Sequence, residues 1–130
     1  MIRISYGVTV LTFAMGLALL CPKQGFAHEG KHSKKTTITG QVVGTTCYLA
    51  HESKGEQHVQ CATECAKKGI PLAILESGSG QLYLPLATDH HAAANGQLMP
   101  FIEKQVKVTG VVIEKNGMKA ILMEKVEAAD

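Results

Sequence analysis

Apolar residues occur in three arrangements along this chain, and each predicts a different kind of element. The first is a largely apolar stretch, Val8 to Leu20, preceded by Arg3 and followed by Gly25-Phe26-Ala27. A positive start, an apolar middle and small residues at the −3 and −1 positions make residues 1–27 read as an export signal. The stretch is shorter than the roughly 20 residues a membrane-spanning helix needs. Cys21 offers lipid attachment as an alternative, but Leu20 before it is bulkier than such a site normally accepts. The mature chain is expected to begin at His28, with 28–35 as a flexible lead-in and 36–130 as a single domain.

The second arrangement is short and rich in β-branched residues. Thr36 to Thr46 reads as a strand bent or bulged at Gly40 and Gly44. Leu72 to Glu76 and Gln81 to Leu86 read as a hairpin around Ser77-Gly78-Ser79-Gly80. Gln105 to Lys115 and Met118 to Glu127 read as another, joined by Asn116-Gly117, the strongest two-residue hairpin signal. Thr88 to Gly96, around Asp89, His90 and His91, is expected to be a loop or short helix.

The third arrangement has helical spacing. A polar loop, His51 to Gly55, leads to a helix from Glu56 to Lys68, with Lys67 and Lys68 in the last turn and Gly69 as the residue that ends it. Pro71 blocks continuation. Val59, Ala62 and Ala66 form the face expected to pack on a sheet. The order is β, α, β, β, loop, β, β. It predicts an α+β, mainly β domain: a small OB-like five-stranded curved sheet or partly open barrel, with one helix inserted after the first strand.

Charge narrows the partners. The chain has 13 basic and 11 acidic residues; loss of Arg3 and Lys23 with the signal leaves no arginine and no net charge. The remaining aromatics are Tyr48, Tyr83 and Phe101. A nucleic-acid binder needs a basic face with arginine and stacking rings, so nucleic acid is not expected as a partner. No membrane association is expected once the signal is removed.

The chemistry concentrates in Cys47, His58, Cys61 and Cys65. On a regular helix, at about 100° per residue, Cys61 and Cys65 fall within about 60° of His58. Cys47 is expected nearby, at the end of the first strand. Thiolates and an imidazole converging on one point suit Zn²⁺ or copper as Cu⁺. An exported chain with three cysteines also admits a disulfide from Cys47 to Cys61 or Cys65, leaving one thiol spare, or thiol-redox chemistry. Cys61 and Cys65 are poor disulfide partners for each other, because i and i+4 positions hold Cβ atoms about 5–6 Å apart, against about 3.8 Å in a disulfide. Asp89, His90, His91 and His28 are candidate extra ligands or residues that orient the ligands. Met99, Met118 and Met123 are read as core filling rather than copper ligands.

There is no Cys-x-x-Cys-His for haem attachment, no Gly-x-Ser-x-Gly and no phosphate-cradling glycine loop. A Cys61–His58 nucleophile is conceivable, but neighbouring thiols favour ligation or oxidation. A metal-binding module for binding, buffering or delivery is preferred to an enzyme. Its alternatives are a disulfide-stapled domain for a small ligand or protein partner, and a thiol-redox protein.

Cys47-Tyr48-Leu49, the segment Gly55-Glu56-Gln57-His58-Val59-Gln60-Cys61-Ala62-Thr63-Glu64-Cys65, Gly69-Ile70-Pro71, Leu82-Tyr83 and Val108-Thr109-Gly110 resemble a group of small exported bacterial proteins. Asp89-His90 resembles an Asp-His pair of that group. The likeness runs from about Ile38 to Glu127. It implies a small exported protein and names no activity. The expected location is periplasmic or secreted, and the expected partners, a metal ion and a periplasmic protein, follow from the cysteine–histidine cluster and the export signal.

Overall fold

A computed structural model describes residues 34–129. The expected export signal, most of the expected lead-in and His28 lie outside the described residues. Five strands, β1 (Lys35–Gly44), β2 (Leu72–Glu76), β3 (Leu82–Ala87), β4 (Gln105–Lys115) and β5 (Met118–Ala128), close into a barrel in the order β1-β2-β3-β5-β4. Neighbours are antiparallel except β3 and β5, which run parallel from Leu84↔Ala120 to Ala87↔Met123. This is the OB-like barrel expected from the strand order, fully closed rather than partly open.

β1 closes the barrel by serving two partners. Its first part pairs with β4, from Lys35↔Val111 to Gln41↔Gln105, and its last part with β2, from Gly40↔Glu76 to Gly44↔Leu72. Gly40 sits where the two pairings overlap, and a Cβ there would strike the Leu75 carbonyl oxygen. Gly110 lies at a register shift in β4, and a Cβ there would strike the Leu122 carbonyl oxygen. Both glycines allow strand backbones to approach more closely than a side chain permits. The register shift at Gly110 is a bulge; at Gly40, expected to bend or bulge its strand, the pairing stays in register.

The barrel core contains Ile38, Val42, Ile74, Val106, Val108 and Ile121, all nearly inaccessible to solvent. A smaller cluster of Val43, Ala73 and Leu75 packs against Tyr48 and Leu82. The segment between β1 and β2 departs from expectation. It holds two α-helices, α1 (Thr45–His51) and α2 (Val59–Lys67), with a 3-10 turn at Glu56–His58 between them. The first strand stops at Gly44, so Thr45, Thr46 and Cys47 are helical. At the end of β1 the chain meets α2: a Cβ on Gly44 would come within 3.3 Å of the Ala62 Cβ. The backbone N–H of Thr45 then donates to the Pro71 carbonyl, 3.3 Å away, as the chain turns into α1. The two β-branched threonines extended the strand-like appearance beyond this stop.

Of the face expected to pack on the barrel, Ala62 and Ala66 are buried in the core, whereas Val59 is 39 % exposed. A short helix, α3 (Asn95–Leu98), and a 3-10 turn, Met99–Phe101, lie in the connection between β3 and β4. Leu98 and Ile102 from this connection join the core. Among the described residues no helix is long and apolar enough to cross a membrane.

Candidate metal centre

The three sulfurs meet because two different helices deliver them. α1 carries Cys47, and α2 carries Cys61 and Cys65 one turn apart. All three Sγ atoms lie within 4.8 Å of one another, and Cys47 and Cys61 are 3.6 Å apart. The thiols are free; 3.6 Å is far from the roughly 2.05 Å of a disulfide bond. With Zn–S bonds near 2.3 Å, a tetrahedral ion separates its sulfurs by about 3.8 Å. The group is therefore close enough to bind a metal ion.

Burial is graded across the site: Cys47 and Cys65 are half-buried and Cys61 is exposed. The Cys47 thiol is pushed above its ordinary range, first by its hydrogen bond with Cys61, then by partial burial, then by the charges of Cys61 and Cys65. Like groups this close resist ionising together, and a cation relieves that conflict.

The β3–β4 connection fastens the chain just ahead of the 3-10 turn that leads into α2, and the C-terminal end of α2 itself. At the N-terminal side the Glu103 carboxylate accepts from the Gly55 backbone N–H at 2.8 Å and from Gln41 Nε2 at 3.2 Å. Gln41 Nε2 also donates to the Glu103 carbonyl, at 3.1 Å. Glu103 is 8 % exposed and has φ of 60°, in the left-handed region. At the C-terminal side Asn95 Nδ2 donates to the carbonyls of Ala66 (3.3 Å) and Ile70 (2.8 Å), while its Oδ1 accepts from the Leu72 N–H (3.0 Å). Gly69, at φ 88°, completes the stop expected there: Ile70 N–H donates to Cys65 O and Gly69 N–H to Ala66 O. Cys65 thus sits on a helix end locked by its own backbone and by Asn95.

His58 does not join the sulfur set. It ends the 3-10 turn, so the regular helical stripe expected to carry it begins only after it. Its Nδ1 is buried and has no hydrogen-bond partner among the described residues. Asp89, His90 and His91 are exposed and are not part of the set. Asp89 Oδ1 instead accepts from the His91 backbone N–H at 2.9 Å, forming a local turn. Met123 is buried in the core and Met99 packs against it, but Met118 is 61 % exposed.

Glu103 and Asn95 were not singled out from the sequence. Phe101-Ile102-Glu103-Lys104 gives an acidic residue beside apolar ones, too common a pattern to mark an anchor. An asparagine before a glycine, as in Asn95-Gly96, reads first as a turn.

No family model matches the chain, and neither a curated protein nor a solved structure matches it.

Proposed function

We propose that this protein is an exported module that holds a thiophilic metal ion, Zn²⁺ or Cu⁺, through Cys47, Cys61 and Cys65. One observation carries the reading: a third sulfur, from α1, reaches the pair on α2. Cysteines at i and i+4 neighbour each other on any helix. The arrival of Cys47 depends on tertiary structure, and the segment from Gly55 through α2 is fastened on both sides. Three thiolates suit Cu⁺ as they stand, and Zn²⁺ with one more donor. For zinc we assign that place to His58, which lies outside the sulfur set and must turn toward it on binding; its buried Nδ1 has no hydrogen-bond partner among the described residues.

The leader-like residues 1–27 and the resemblance to small exported bacterial proteins support a periplasmic or secreted location. The role is binding, buffering or delivery. An exposed Cys61 leaves one ligand open to exchange with a protein partner. To test the site, the protein is purified without oxygen and its metal measured by mass spectrometry, beside a Cys61→Ser/Cys65→Ser variant. The expected result is a bound ion in the native protein and its loss in the variant. Equal metal in both would remove the site.

A further inference from the structure

We infer that the metal site is gated by oxidation, with Cys47 and Cys61 as the pair that closes. This rests on the metal reading and adds its regulation. Among the three sulfurs, Cys47 and Cys61 are at van der Waals contact, 3.6 Å apart, and belong to different helices. The segment between the helices includes residues 52–55 outside regular structure, with Glu52 at φ 54° and Gly55 at φ 94°. Cys61 and Cys65 share one helix at i and i+4, a separation unsuited to a disulfide. Closing Cys47 onto Cys61 therefore requires less rearrangement than any closure within α2.

The oxidant is a disulfide, of a protein or a small molecule. Cys61 is the exposed sulfur, so its thiolate attacks one sulfur of the oxidant and expels the other as a thiolate. The Cys47 thiolate then attacks Cys61 Sγ, forming the Cys47–Cys61 bond and expelling the second thiolate. Two electrons pass from the cysteine pair to the oxidant, and both expelled thiolates take protons from water. Two of the three sulfur donors are consumed, and the ion leaves as its own hydrated or captured species. Reduction restores the site. The staple and the metal centre are in this account two states of one cluster.

The test uses reduced, zinc-loaded protein and oxidised glutathione. Zinc release is followed with a chromogenic chelator, and the cysteine linkage by peptide mapping. Trypsin separates segment 36–54, with Cys47, from 55–67, with Cys61 and Cys65; a second cleavage after Glu64 then distinguishes those two. The expected result is release of zinc in equal amount to a Cys47–Cys61 link, with Cys65 still alkylatable and zinc rebinding after reduction. A link that forms while zinc stays bound overturns the gate alone. So does a stable mixed disulfide, or a bond that involves Cys65. Reduced protein that takes up no zinc or Cu⁺ overturns the metal reading, and the gate with it.

Discussion

Each cysteine has a distinct expected effect, because each differs in burial and in its neighbours. Cys47→Ser removes the sulfur that α1 brings to the set and leaves two sulfurs on one helix, which is expected to reduce Zn²⁺ affinity by at least tenfold in a chelator competition. Cys65→Ser is expected to weaken binding to a similar degree while leaving the Cys47 and Cys61 pair intact. The Cys47 thiol sits above its ordinary range, foremost through the hydrogen bond with Cys61. The sign follows from linkage. A thiol whose folded value is raised favours the protonated fold, so its contribution is complete below the ordinary cysteine range and is lost as pH rises through the raised value. Metal-free protein is therefore expected to lose thermal stability as pH climbs above that range, and Cys47→Ser to flatten that loss. A denaturation series across pH checks both. At this scale the sequence was informative about identity and silent about distance. Cys47, Cys61 and Cys65 were all legible as one cluster, but the separation of His58 from it was not, because a single turn of 3-10 geometry decides it.

The helices hold the site through groups that lie far away in sequence. Glu103 bridges Gly55 and Gln41, and Asn95 bridges the end of α2 to the start of β2. Glu103→Ala leaves the Gly55 N–H without its buried partner and takes from the Gln41 amide one of its two acceptors, at an expected cost of about 1–3 kcal/mol in chemical denaturation. It should also weaken metal affinity, although Glu103 is not among the sulfur-site donors. Asn95→Ala should do the same from the other end. Equal affinity in both variants would show that the helix ends do not position the sulfurs. Gly69→Ala places a side chain at φ 88° and is expected to cost about 1 kcal/mol. The elements with strong local chemistry were legible. Asn116-Gly117 forms its turn with φ of 52° and 79°, both positive as a type I′ turn requires. Gly69 ends α2 where expected. α1 was not legible, because Thr45-Thr46 continues a β-branched run and nothing local marks the break at Gly44. Glu103 and Asn95 act over 48 and 25 residues of separation, beyond any local pattern.

At the scale of the molecule, a closed five-stranded barrel supplies a rigid frame and the β1–β2 connection supplies the chemistry. The strand order could be guessed from β, α, β, β, loop, β, β. Full closure could not, since it depends on β1 pairing on both sides and on the close approaches at Gly40 and Gly110. Gly110→Ala is expected to destabilise the barrel severely, because the Leu122 carbonyl cannot withdraw without breaking the β4–β5 ladder. A metal that binds only the folded chain must raise its unfolding temperature, in proportion to the logarithm of free metal over the dissociation constant. The central claim is that sulfurs from two separate helices share one ion. X-ray absorption at the zinc edge of the reduced, zinc-loaded protein measures this directly. Three sulfur neighbours near 2.3 Å, falling to two in Cys47→Ser, are the expected result. Two sulfurs in both proteins, or a shell of oxygen and nitrogen alone, would contradict it.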